Sequence, residues 1–317
     1  MRSYSLLAPA KINLYLEIVG DRPDGYHELV MLLQSIDLAD QVDLRSSSTD
    51  KILIHCDNPN IPSGKENLAY RAAELMTRQF PECFARYGGI EITLHKHIPA
   101  EAGLAGGSTD AAAVLVGIDL LWDLGLTQIE LQDLGAMLGS DVPFCVAGGT
   151  AIATGRGEQL NPLPDLENLY VVLAKYRNLP VSTVWAYQAY RQRYYDTYLP
   201  AEADWQARRQ HIHSGPMVAA IAHRDHVAIG HLLHNDLEKV VFPEFPKIAH
   251  LRDTFKHFDI LGTLMSGSGS TVFALVESQT QAQQIQQQMQ TAIADPTLDL
   301  WISKFTNTGI RLASTVN

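Results

Sequence analysis

Ile12, Leu14, Leu16 and Ile18 alternate with more polar neighbours, the period of a strand with one face turned inward. Residues 31–36, 41–44 and 52–56 are further short strand candidates separated by turn signals. Apolar spacing predicts helices over 67–80 and 127–138, the second closed by Gly139, and a strand over 89–97 that runs into Pro99. Residues 111–122 are apolar nearly all round, which predicts a buried helix. Ser108, Thr109 or Asp110 would serve as its N-cap. Strands are expected over 150–154, 169–174, 271–276 and 301–305. Ala282, Ile285, Met289 and Ile293 mark a helix with a glutamine-rich outer face. Strands cluster early instead of alternating strictly with helices, so the pattern predicts an α+β fold rather than a doubly wound sheet.

The proline-rich stretch 161–164 marks the expected boundary between a domain of residues 1–160 and one of residues 161–317. Beyond it, residues 189–215 are polar, aromatic and irregular. Arg191, Arg193, Arg208 and Arg209 lie there among tyrosines, with Asp196, Glu202 and Asp204 interleaved. A solvated helical insertion is expected, not a nucleic-acid surface.

Composition narrows the functional classes. A formal net charge of −11 disfavours nucleic acid and anionic membranes as partners. It also requires that an anionic substrate be met by local positive groups. Cys56, Cys83 and Cys145 are scattered and odd in number, as expected for reduced thiols in the cytoplasm. Cys145 reads as a small buried hydrophobe rather than a nucleophile. No signal segment and no bilayer-length apolar run is expected. His223/His226 and His231/His234 are spaced like helical ligands, yet no cysteine or carboxylate cluster completes a site, so no protein-held metal centre is expected.

The stretch A-E-A-G-L-A-G-G-S-T-D, residues 100–110, carries the first chemistry. Glycine allows close backbone approach, and a helix N-terminus behind a small-residue loop is an anion site. The order strand, glycine loop, helix suits a phosphate cradle; a flexible turn before a core helix is the alternative. Neither the P-loop pattern with its lysine nor the dinucleotide G-x-G-x-x-G pattern is present.

Four other stretches join it: P-A-K-I-N-L-Y-L at 9–16, D-G-Y-H at 24–27, G-S-D-V-P-F at 139–144 and S-G-S-G-S-T-V-F at 266–273. In this order and spacing the chain resembles the GHMP small-molecule kinases over almost its whole length, including H-N-D-L-E at 234–238. The resemblance implies two domains, the first like domain 2 of ribosomal protein S5 and the second ferredoxin-like, with the site between them. It implies ATP as donor, cradled by Pro99, Ala100, Glu101, Ala102, Gly103, Leu104, Ala105, Gly106, Gly107, Ser108 and Thr109. Mg²⁺ would ride on the ATP oxygens with a hydroxyl from Ser108 or Thr109. Ala102 and Ala105 stand where the family commonly has glycine, which restricts the loop backbone.

Phosphoryl transfer needs the γ-phosphate held, its charge neutralised and an acceptor hydroxyl aimed in line. Asp141 suits acceptance of the hydroxyl proton, and Lys11 suits its orientation. Asn13, Tyr26, His27, Thr183 and Tyr187 are the implied acceptor-binding residues, with Tyr26 and Tyr187 offering two aromatic faces to a base. The motif combination is similar to the branch of the family whose acceptor is a cytidine diphosphate-linked methylerythritol, phosphorylated on its 2-hydroxyl in non-mevalonate isoprenoid synthesis. Homoserine- or mevalonate-type acceptors fit less well, since they need no base-stacking pair. Retention of both Lys11 and Asp141 argues against a silent nucleotide sensor, and Y-H argues against a decarboxylase. A monomer or weak homodimer is expected.

Overall fold

The first two strands, β1 (Ser3–Asp21) and β2 (His27–Ser47), pair antiparallel along nearly their full length. They are followed by β3 (Ile52–Cys56), α1 (Leu68–Gln79), α2 (Pro81–Tyr87) and β4 (Gly89–His95). Next come α3 (Gly106–Trp122), α4 (Gln128–Ala136), α5 (Val142–Ala147), β5 (Thr150–Gly155) and β6 (Gln159–Pro162). The chain continues through β7 (Tyr170–Tyr176), α6 (Thr183–Tyr194), α7 (Glu202–His213), α8 (Pro216–His223), α9 (His226–His231) and β8 (His234–Asn235). It closes with α10 (Glu238–Glu244), α11 (Pro246–Phe255), β9 (Gly262–Met265), β10 (Val272–Val276), α12 (Gln279–Ala292), β11 (Leu298–Lys304) and β12 (Arg311–Leu312). This computed structural model describes residues 2–313; position 1 and positions 314–317, the outer ends of the two expected domains, lie outside the described residues.

Two sheets result. The first runs β12-β1-β2-β4-β3, with β5 beside β2, β6 beside β5 and β8 beside β1. The second runs β11-β7-β10-β9, antiparallel throughout. Its strands follow one another as β7, β9, β10 and β11, with helices between the first two and between the last two, which is the ferredoxin-like order. The fold is α+β, as the clustering of strands predicts.

Several elements depart from expectation for physical reasons. Residues 31–36 and 41–44 belong to one strand, β2, and β1 extends well beyond residues 12–18. Residues 8–14 and 27–36 are buried throughout, because α3 packs on the first sheet and the second sheet's core meets its other side. Burial on both faces erases the alternation that reveals a strand. By contrast, α1 and α4 start where predicted, since local chemistry fixes their first turns; α4 ends at Ala136 with Met137 as its C-cap, before the expected close at Gly139. The Asn67 side chain accepts from Ala69 N–H at 2.8 Å, and Thr127 with Glu130 forms a capping box.

The buried helix α3 does not begin after Ser108, Thr109 or Asp110. It begins at Gly106, and the cap is Ala105 in a left-handed conformation (φ 60, ψ 29), with no side-chain capping bond. Ala105 O already accepts from Thr109 N–H at 2.9 Å, so the hydroxyl-bearing residues lie inside the first turns. Residues 189–215 are helical as expected but are not a solvated appendage. Arg191 pairs with Asp21, Arg208 with Glu17 and Arg209 with Glu28, and Trp205 packs against Gly20.

Candidate active site

A cavity of about 860 Å³ opens where the loops of the two sheets meet. Lys11 projects into it from β1 although the residue is buried. A buried ammonium needs partners, and its Nζ lies 2.8 Å from Asn13 Oδ1, 3.2 Å from Gly103 O and 3.7 Å from Asp141 Oδ2. Asn13 is itself buried and donates to Met31 Sδ at 3.4 Å. Asp141 occupies the N-cap position of α5 but makes no capping bond with its side chain. Val142 N–H is taken by Gly139 O at 3.3 Å and Pro143 has no N–H, so the carboxylate is left for the cavity.

The two glycine-rich loops are built against each other. Gly103 has φ +72, and a Cβ there would stand 2.0 Å from Ser266 O. Ser266 Oγ donates to Gly103 O at 2.9 Å. The late loop is held from behind by Asn235, whose Nδ2 donates to Met265 O and Gly267 O, each at 2.7 Å. Asp236 accepts from Ile18 N–H at 2.9 Å and Glu238 from Met265 N–H at 2.8 Å. The H-N-D-L-E segment therefore fastens the late loop to β1.

Within residues 99–109, Pro99, Ala100, Glu101, Ala102, Gly103, Ala105, Gly106, Gly107 and Ser108 line the cavity. Leu104 and Thr109 turn their side chains into the core: Leu104 supplies only its carbonyl, to Lys11 N–H at 3.1 Å, and Thr109 faces the Cys145 thiol. Of the two hydroxyls, Ser108 alone reaches the cavity wall. Ala105 and Glu101 hold positive φ (60 and 49) without being glycine, at about 1–2 kcal/mol each. Alanine at 105 thus preserves the left-handed turn at the expense of strain. Helix geometry leaves the amides of Gly106, Gly107 and Ser108 without partners in the preceding turn, aimed where an anion would sit.

One face of α6 forms the far wall, with Thr183, Val184, Tyr187, Gln188 and Arg191 recurring at helical spacing. Thr183 Oγ1 lies 2.8 Å from Ser268 Oγ. The His27 ring sits 5.2 Å from the Tyr187 ring, tilted by 33°. Tyr26, on the turn between β1 and β2, is 53% exposed and so offers a free ring face. His27 Nε2 is buried without a hydrogen-bond partner. Burial, reinforced by the Arg191 charge, pushes the His27 pKa down to about 4.

That shift carries a stability consequence. The unfolded chain takes up a proton on His27 near pH 6.5, whereas the folded chain resists it until about pH 4. Stability is therefore full above pH 6.5 and falls as pH drops toward 4. In urea unfolding at pH 7 and pH 4, His27→Gln should shrink the acid-induced loss by about 3 kcal/mol. Equal losses in wild type and variant would show that this histidine does not set the acid response.

Some lining residues gave no sequence signal. Lys96 is buried between Asp40 and Asp110, with Nζ 2.5 Å from Asp110 Oδ2, and also reaches Gly106 O at 3.5 Å. Burial opposes its charge, but the two carboxylates outweigh burial and hold its pKa high; burial and Asp40 push Asp110 up. The triad pins the first turn of α3 to β2 and to the end of β4. Its members are far apart in sequence, and only the place of Lys96 just before the glycine loop hints at it. Arg156, Gln188 and Arg191 were likewise missed as lining groups.

A glycine loop leading into a helix, a buried lysine and a free aspartate facing one cavity define a small-molecule kinase. Residues 67–149 match the model of the GHMP kinases N-terminal domain and residues 217–295 that of the GHMP kinases C-terminal domain. The chain belongs to the GHMP kinase family. The 4-diphosphocytidyl-2-C-methyl-D-erythritol kinase of Nostoc punctiforme is 63% identical over 317 residues, covering 100% of both chains. A crystal structure of 4-(cytidine 5'-diphospho)-2C-methyl-D-erythritol kinase superposes with a TM-score of 0.70 at 32% identity, covering 95% of this chain and 98% of that one. Homoserine kinase from Cytophaga hutchinsonii shares the fold at a TM-score of 0.74 and 23% identity, covering 99% and 98%. Among the described residues no helix is long and apolar enough to cross a membrane, and no cluster of three His, Cys, Asp or Glu could hold a metal ion.

Proposed function

We propose that this kinase transfers the γ-phosphoryl group of ATP to the 2-hydroxyl of 4-diphosphocytidyl-2-C-methyl-D-erythritol. The observation that carries the reading is that one cavity joins Lys11 and Asp141 to the glycine loop on one side and to Tyr26, His27 and Tyr187 on the other. Relatives of that name support it.

Asp141 accepts the proton of the attacking hydroxyl and aims its oxygen. Lys11 fixes the carboxylate and, through Gly103 O, ties the base to the donor loop. The free amides of Gly106, Gly107 and Ser108 bind phosphate oxygens, and Gly103 gives the loop its close approach. Tyr26 and Tyr187 flank the base while His27 meets its polar edge. Asn13 positions Lys11, and Thr183 lines the acceptor side. The donor set fits a magnesium ion carried on the nucleotide, with Ser108 as the protein hydroxyl within the loop; such an ion supplies neutralisation of phosphate charge. The division into residues 1–160 and 161–317 belongs to the same reading, supported by the passage from one sheet to the other between β6, which ends at Pro162, and β7, although β8 and β12 return to the first sheet. So does a cytoplasmic monomer or weak homodimer free of nucleic acid, supported by three free cysteines and the acidic balance.

The test is ATP turnover against a panel of alcohols. Turnover is expected with the cytidine diphosphate-linked methylerythritol and not with homoserine or mevalonate. Preferred turnover of either of the latter would overturn the reading.

A further inference from the structure

The cavity is nearly neutral in its own right. Four cations line it, Lys11, Lys96, Arg156 and Arg191, against Glu66, Glu101, Asp110 and Asp141. Three of the cations are already engaged: Lys11 by Asn13 and Asp141, Lys96 by Asp40 and Asp110, and Arg191 by Asp21 at 2.5 Å and Gly25 O at 2.9 Å. Arg156 differs. Its Nε lies 3.8 Å from Glu158 Oε2, and that oxygen takes its short bond, 2.7 Å, from the backbone N–H of Arg156 instead. Among the described residues its guanidinium makes no hydrogen bond to a protein acceptor. It rests over the Tyr26 ring, 5.0 Å from the centroid. Gly155 (φ 72) and Gly157 (φ 115) flank it, forming a tight tip that presents the side chain.

An acceptor with a diphosphate brings two further negative charges into a cavity of a protein whose net charge is −11. A guanidinium is the side chain suited to paired phosphate oxygens, with donors in a planar fork. We propose that Arg156 is a specificity-determining residue that binds the diphosphate linker of the acceptor, next to the base held at Tyr26. This rests on the acceptor reading above and adds to it the group that recognises the anionic linker. Neither Lys11 nor Lys96 can serve without giving up a buried carboxylate partner or a catalytic one.

Cytidine and cytidine 5'-diphosphate are the probes, titrated calorimetrically into the enzyme with its donor site filled by a non-hydrolysable ATP analogue. Wild type should bind the diphosphate about 10- to 100-fold more tightly than the nucleoside. Arg156→Gln should abolish most of that ratio while leaving the cytidine affinity within about twofold, and Arg156→Lys should restore part of it through charge alone. An undiminished ratio in Arg156→Gln would overturn the proposal. Equal weakening of both probes would also overturn it, by making Arg156 only a brace for Tyr26. If neither probe binds wild type, the acceptor reading itself falls. Arg156 lies at a half-buried turn tip, and coincident thermal unfolding of the variants checks that the fold is retained.

Discussion

Exchanging cytosine for uracil in the acceptor is expected to lower kcat/KM by about 10⁴-fold. Stacking on Tyr26 and Tyr187 cannot produce this, because every base has a π-face; such stacking contributes roughly 1–3 kcal/mol regardless of identity. Discrimination comes from the polar edge. Cytosine presents an amino donor beside a ring-nitrogen acceptor, and uracil reverses both. His27 Nε2 is buried and lacks a partner, and the ring is neutral at pH 7 with a pKa of about 4. A neutral imidazole held against the Tyr187 and Tyr198 rings leaves a buried ring nitrogen to donate or accept, and an edge that does not match it leaves a polar group unsatisfied. Tyr26→Ala should raise the acceptor KM with kcat less affected, since the ring stands apart from Lys11 and Asp141. Equal kcat/KM for the two bases would leave a GHMP kinase with a different acceptor.

Asp141→Asn is expected to reduce kcat by about 10²–10⁴-fold while ATP affinity stays near that of wild type. The amide is isosteric and does not disturb α5, because the carboxylate makes no capping bond. What it loses is the ability to take a proton and its attraction to Lys11 Nζ, 3.7 Å away. Single-turnover rates with saturating ATP and acceptor separate this from a binding defect. Wild-type rates in Asp141→Asn would remove the residue from proton transfer and leave it an element of the turn before α5.

What could be read in the sequence was local. Asn67 and Thr127 announce α1 and α4 because a cap and its amides lie within three residues of each other. The motif residues Lys11, Tyr26, His27, Asp141 and Tyr187 all reach one cavity. What escaped depends on contacts across the chain. Asp40, between the expected strands 31–36 and 41–44, is a buried carboxylate inside β2 because its Oδ1 accepts from His97 and Ile98 N–H, at 2.6 and 2.8 Å. Among the glycines of the loop, the need for positive φ falls on Gly103 and not on Gly107, where a Cβ would meet only Leu68 Cδ1 at 3.8 Å. That assignment follows from the approach of Ser266, which no spacing within residues 100–110 reveals. Arg191, expected in a solvated insertion, and Arg156, which carries no signal in the sequence, meet the cavity through neighbours from other elements.

The first strand draws partners from distant parts of the chain: Leu6 faces Leu312, and Tyr15 and Leu16 face His234 and Asn235. In folding terms this is high contact order, and loop closure over such spans precedes any reward from pairing. One edge of β1 stays open, as a template for foreign strands, until the chain around residues 234 and 311 has arrived. The same delay governs chemistry. Lys11 is fixed through Gly103, Gly103 leans on Ser266, and Asn235 anchors the loop that carries Ser266. A partly built chain therefore holds every catalytic side chain of the first sheet and no working site, so phosphoryl transfer begins only once the whole topology has closed.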